Sequence, residues 1–94
     1  MASLIPEVVA RLGGEERAVL QRVTLAWEEA VGPLLGRRAR PEALRGKTLF
    51  VRVDNSALAH ELTLLRVQVV EKLNRAVGLP IATELRTRVG PLEG

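Results

Sequence analysis

The chain is expected to fold as a two-layer α+β domain in the order α-α-β-β-α-β, with a three-stranded sheet covered by a long helix. Three features predict this. Between Leu44 and Leu73 the apolar repeat changes from every second residue to every third or fourth within a few positions. From Ile81 to Val89 it returns to alternation. A length of 94 residues admits one domain, 1–94, which buries only about 60 to 65% of its unfolded surface, so a single core is all it can hold.

Leu4, Ile5, Val8, Val9 and Leu12 recur at helical spacing, with Ser3 placed to cap them and Gly13-Gly14 to end a short first helix, read as a docking arm. Glu15 and Glu16 open a second helix, where negative side chains suit the positive end of the dipole. Leu20, Val23, Trp27, Ala30 and Leu34 trace its apolar stripe, and Gly32-Pro33 disrupts it near its end. Trp27 reads as a large core anchor. Beside it, Glu28 and Glu29 read as a solvated acidic patch or as contacts for a basic partner.

From Arg37 to Ala43 the pattern weakens, and Pro41 cannot donate a ladder hydrogen bond, which predicts an irregular edge strand. Arg45-Gly46-Lys47 is the turn of an antiparallel hairpin. The strand after it, Thr48 to Val53, sets Leu49, Val51 and Val53 on one face and Thr48, Phe50 and Arg52 on the other. Asp54-Asn55-Ser56 supplies a cap, and Leu58, Leu62, Leu65, Val69, Leu73 and Ala76 mark one face of a helix about six turns long. Gly78 and Pro80 stop it. A last strand sets Ile81, Thr83, Leu85, Thr87 and Val89 opposite Ala82, Glu84, Arg86 and Arg88, reached by a crossover that is right-handed if the two strands are parallel neighbours.

Composition narrows the chemistry. With 47% apolar residues but one Trp, one Phe and no Tyr, the core must be built of Leu, Val and Ala. The lack of cysteine excludes disulfides, thiol catalysis and cysteine metal sites and fits a reducing, cytoplasmic setting; with a single histidine, the chain also lacks the ligands of an ordinary zinc site, and no metal residue is nominated. The start of the chain lacks a basic leader, and no run approaches the 18 apolar residues of a membrane span, so no membrane partner is expected. His60 and Glu61 are neighbours on a helix and do not face each other, and capping accounts for Asp54. Neither Gly13-Gly14 nor Gly32 to Gly36 has the strand and lysine of a phosphate loop. With no catalytic residue, cofactor or small-molecule substrate to nominate, the chain reads as a binding module and not an enzyme.

The net charge is +3, yet between Gly36 and Val53 six cations, Arg37, Arg38, Arg40, Arg45, Lys47 and Arg52, stand against Glu42 alone. Such a block is either a solvated face or a patch for phosphate backbones or an acidic protein surface. If the helices cover one face of the sheet, the other shows Phe50, Arg52, Arg86 and Arg88, with Arg38 or Arg40 nearby. A ring on which a base stacks contributes about 1 to 3 kcal/mol, and arginines supply salt-sensitive phosphate contacts. The candidate nucleic-acid-binding residues are therefore Arg37, Arg38, Arg40, Arg45, Lys47, Phe50, Arg52, Arg86 and Arg88. In the alternative reading, Phe50 packs under the N-terminal arm and the arginines protect a sheet edge from self-association.

Trp27 followed by Val31-Gly32, then Arg40-Pro41, Leu44-Arg45-Gly46-Lys47-Thr48-Leu49, Val51-Arg52-Val53, Asn55-Ser56, and Glu61-Leu62 through Leu73-Asn74 resembles, in order and spacing, the DciA family. The resemblance covers roughly Leu4 to Val89. It implies a KH-like fold and an adaptor that recruits or helps load the bacterial replicative DNA helicase, with single-stranded or forked DNA as a second partner. Leu58 stands where the family typically has a tryptophan, and the Gly-x-x-Gly clamp of true KH domains is missing, so RNA binding by that route is not expected. Many members carry a further flexible segment, whereas nothing here follows Pro91-Leu92-Glu93-Gly94; if loading needs that tail, the chain recruits without loading. Two alternatives stand beside this: a stand-alone DNA- or RNA-binding domain, and a protein-interaction or self-association module using Glu28 and Glu29.

Overall fold

The computed structural model describes residues 4–92, with side chains described from residue 17 onward. Its elements are α1 (Leu4–Val31), α2 (Pro33–Arg38), β1 (Ala39–Arg45), β2 (Thr48–Val53), α3 (Ser56–Leu64), α4 (Arg66–Val77) and β3 (Glu84–Val89). The sheet order is β1-β2-β3, with β1 antiparallel and β3 parallel to β2. The expected α+β order holds, with α3 and α4 together taking the place of one long helix.

The central strand alternates as its sequence dictates: Leu49, Val51 and Val53 are fully buried, and Thr48, Phe50 and Arg52 are half-buried on the opposite face. Against the buried face pack Val23, Trp27 and Ala30 of α1, Leu62 of α3, and Val69, Val70 and Leu73 of α4, in one core cluster. Each buried Val or Leu among them contributes about 1.5 to 3 kcal/mol by leaving water. Trp27 is the anchor its spacing predicts, and its indole Nε1 donates to the Ala39 carbonyl at 2.9 Å, tying α1 to the start of β1. The hairpin turns at Gly46, whose φ of 62° matches the first position of a type II′ turn.

Helix boundaries differ from expectation in three places. α1 runs unbroken through Gly13-Gly14, so there is no separate first helix. Two glycines weaken a helix by about 1 kcal/mol each but forbid nothing, and good helix formers flank them. The Ser3 cap and the docking of the side chains from Leu4 to Leu12 lie outside the described residues. The break comes instead at Gly32-Pro33, because a proline disfavours helical geometry in the residue before it, and Gly32 adopts φ 91°, ψ 161°. Leu34 then belongs to α2 and is 62% exposed rather than part of the stripe, while Leu35 packs against the core. Arg37 and Arg38 fall in the last turn of α2, not in an edge strand.

The long helix is interrupted at Leu65. Thr63 Oγ1 donates back to the Ala59 carbonyl at 2.9 Å, and Arg66 Nη1 donates to the Thr63 carbonyl at 2.8 Å, so side chains compete with the backbone ladder there. Asn55 caps α3 by accepting from the Leu58 amide at 2.9 Å, as its position predicts. On α4 it is Val77, not Ala76, that is buried. The last strand begins at Glu84 rather than Ile81, because Asn74 Oδ1 accepts from the amides of Ile81 and Ala82 at 3.0 and 3.1 Å. No helix among the described residues is long and apolar enough to cross a membrane.

Candidate nucleic-acid interface

The helices cover one face of the sheet, and the pairing registers determine what the other face presents. Arg40, Arg52 and Arg88 stand side by side across β1, β2 and β3, and Phe50 lies beside Arg86 in the next row. Three arginines in one cross-strand row repel each other unless an anion joins them. Glu42 supplies it.

Ala39, Pro41 and Leu44 of β1 are all buried, which strict alternation cannot achieve. An irregularity between Pro41 and Ala43 inserts Glu42 as an unpaired extra residue and switches the parity, so that Leu44 turns inward and Arg45 outward. The Glu42 carboxylate accepts from Arg52 Nη2 and, at 2.5 Å, from Arg88 Nη2, joining all three strands. Hydrogen bonds from Arg88, and next from Arg52, hold the Glu42 carboxyl below its ordinary range, and the same contact raises the Arg88 guanidinium. Arg52 also donates from Nη1 to the Pro91 carbonyl at 3.1 Å, which draws the segment after β3 across the end of this face. A cavity of about 270 Å³ lies there, lined by Arg40, Pro41, Glu42, Arg52 and Leu92.

On the hairpin side of Glu42 is a second, more open hollow of about 570 Å³, lined by Glu42, Ala43, Arg45, Phe50 and Arg88. Here the half-buried ring of Phe50 shares a surface with two guanidinium groups. Arg45 makes no ion pair or hydrogen bond through its side chain among the described residues, and neither do Arg37 and Arg40. Arg86 is within 3.8 Å of Glu84, with both side chains largely exposed.

The remaining candidates lie apart from the hollow. Arg38 pairs with Asp54 at 3.3 Å, beyond the end of the sheet opposite the hairpin. Lys47 is a strut, donating from Nζ to the Pro80 carbonyl at 2.6 Å while its own carbonyl accepts from Thr83 and Glu84. Six of the nine candidates, Arg40, Arg45, Phe50, Arg52, Arg86 and Arg88, thus share the outer face, whereas Arg37 and Arg38 belong to α2 and Lys47 to the hairpin turn. Glu42 is the residue the sequence reading passes over. Its signal was being the one anion among six cations.

A family model described as "Dna[CI] antecedent, DciA" matches residues 1–87. A UPF0232 protein of Corynebacterium glutamicum is 31% identical over 86 residues, covering 92% of this chain and 48% of that protein. UPF0232 proteins of Mycobacterium tuberculosis and Mycobacterium bovis are 29% identical over 80 residues, covering 85% of this chain and 43% of theirs. The chain therefore spans less than half the length of these relatives. Since the matched residues, 1–87, run from α1 into β3 and take in the core and the outer-face residues Arg40, Arg45, Phe50, Arg52 and Arg86, the chain belongs to the DciA family.

Proposed function

We propose that the protein is a non-enzymatic adaptor of bacterial DNA replication that recruits the replicative helicase and holds single-stranded DNA on the outward face of its sheet. The observation that carries this reading is the open hollow in which Phe50 lies with Arg45 and Arg88. A base stacked on the ring would leave its phosphates within reach of planar guanidinium groups, whose fork suits phosphate oxygens. Neither contact reads sequence, which is what an adaptor working at any single strand requires. Membership in a family named as antecedent of Dna[CI] supports the link to the replication machinery. The KH-like character implied by the resemblance agrees with a three-stranded sheet under helices, and without a Gly-x-x-Gly clamp the sheet face is left to take the strand.

The test is fluorescence anisotropy of labelled single-stranded DNA at several salt concentrations. Phe50→Ala is expected to weaken binding about 5- to 160-fold, the range of one stacked base. Arg45→Glu, which breaks no ion pair among the described residues, lowers affinity and flattens the salt dependence, since each lost phosphate contact removes about 0.7 from the slope. Arg38→Glu leaves DNA binding nearly unchanged. Binding by the first two variants equal to wild type would exclude this face.

A further inference from the structure

The segment after β3 turns across the sheet. The Gly90 amide donates to the Val53 carbonyl at 2.9 Å, the Pro91 carbonyl accepts from Arg52 Nη1 at 3.1 Å, and Leu92 reaches the cavity wall formed by Arg40 and Pro41. Residues 90–92 therefore cross the end of the outer face from β3 over β2 to β1. Beyond Gly90, the bond from Arg52 is the one hydrogen bond that holds this segment among the described residues.

What the segment covers is incompletely paired. Arg52 Nε is buried without an acceptor, the one side-chain nitrogen or oxygen so placed among the described residues. Gly90 lies against it, since a Cβ built there would stand 3.6 Å from Arg52 Cδ and 3.9 Å from Nε. A charged group's donor left dry and unpaired disfavours the closed arrangement. Arg40, opposite Arg52 in the strand register, makes no ion pair or hydrogen bond through its side chain among the described residues. Each described carboxylate around this face is already engaged: Glu42 by Arg52 Nη2 and by Arg88, Asp54 by Arg38, and Glu84 within 3.8 Å of Arg86. In the row formed by Arg40, Arg52 and Arg88, three guanidinium groups thus stand against the single carboxylate of Glu42. The donors left over call for an acceptor that carries negative charge.

We propose that Arg40 and Arg52 form a second phosphate subsite of the outer face, and that residues 90–92 are a strap that closes it until a phosphodiester of the bound single strand takes the place of the Pro91 carbonyl. The inference rests on the reading of this face as a single-strand site and adds its regulation. A phosphate brings two acceptor oxygens and the charge that a neutral carbonyl lacks, so it gains more from Arg52 than Pro91 does. Lifting the strap frees Nη1 and lets the guanidinium turn its Nε toward the ligand, while Arg40 reaches the same anion from β1. The cavity of about 270 Å³ between them is where that group sits. One strand running along the sheet from the hairpin meets Phe50 first and the strap next. Closure competes with binding, so the strap weakens the affinity in proportion to the fraction of molecules that are open.

The test is a magnetic-resonance titration of the isotope-labelled protein with a short oligothymidylate at low salt, following the Leu92 amide and methyls, the Arg52 Nε–H and the Phe50 ring. The expected result is that the Leu92 signals move to the shifts and relaxation of a mobile chain and the Arg52 Nε–H shifts, both with the dissociation constant read at Phe50. In fluorescence anisotropy, Leu92→Ser, which loosens the strap without changing charge, binds the same strand about 3- to 10-fold more tightly, as expected for a strap closed in about two-thirds to nine-tenths of molecules. A Phe50 ring that shifts to saturation while Leu92 and Arg52 stay in place would overturn the strap and leave the stacking face standing. Leu92 and Arg52 responding with Phe50 unchanged would support the strap and overturn the stacking reading. No response of any of the three at millimolar strand would overturn both, and equal affinity of Leu92→Ser and wild type would overturn the strap.

Discussion

Glu42 sets how much positive charge the sheet displays. Its carboxylate engages two of the face's arginines at once, so a phosphate can reach Arg52 and Arg88 only in competition with it. Glu42→Gln should therefore raise affinity for single-stranded DNA at low salt and steepen the salt dependence, as read by anisotropy. A pH dependence follows from the same pair. The folded-state pKa of Glu42 lies below its ordinary value of 4.5, so the carboxylate's contribution to stability is complete above that value and is lost as pH falls through the lower folded-state pKa. In thermal unfolding from pH 7 to pH 3, the gap between wild type and Glu42→Gln should stay constant down to about pH 5 and close below it. A gap that widens on acidification would show that the carboxylate is not held in this way. Nothing in the alternation around Arg40-Pro41-Glu42 signals this role, because it depends on a bulge that only the burial of both Pro41 and Leu44 requires.

At the scale of elements, what could be read from the sequence depended on whether a constraint was steric or a preference. Gly32-Pro33 ends α1 because proline excludes the alternative, whereas Gly13-Gly14 only makes helix less favourable and α1 continues through it. Leu49, Val51 and Val53 were legible because a strand buried on one face tolerates no other register. The start of β3 was not, since Ile81 and Thr83 continue the alternation while a side chain seven residues before Ile81 takes the amides of Ile81 and Ala82. Asn74 is that side chain: its Oδ1 accepts from both amides and its Nδ2 donates to the Ala82 carbonyl at 2.9 Å. Asn74→Ala leaves these half-buried groups unpaired and should cost about 2 kcal/mol or more, a fall in Tm of about 8 to 16 °C. Asn74→Asp keeps both acceptor bonds and should fall by less. Equal losses in the two variants would assign the effect to the lone bond from Nδ2.

Taken whole, the two layers divide the surface between them. The outer sheet face carries Phe50 and its arginines, and the helical layer presents exposed apolar residues, Leu25 on α1 and Leu64 and Val67 at the α3 to α4 junction. The proposed joining of a helicase to DNA needs two separate surfaces, and the packed core holds these two on opposite sides of the molecule. The two-layer arrangement was legible from the change of period alone. The grouping of the cations was not, since Lys47 and Arg38 are as close in sequence to the patch as Arg45 but are held at opposite ends of the sheet by Pro80 and Asp54. The most direct measurement is the mass, by size-exclusion chromatography with light scattering, of the protein mixed with the replicative helicase of the same organism, with and without single-stranded DNA. Recruitment of the helicase by this chain predicts a complex heavier than the helicase alone, gaining mass further when DNA is added. Separate elution of the two proteins at tens of micromolar, a binding free energy weaker than about −6 kcal/mol, would contradict it.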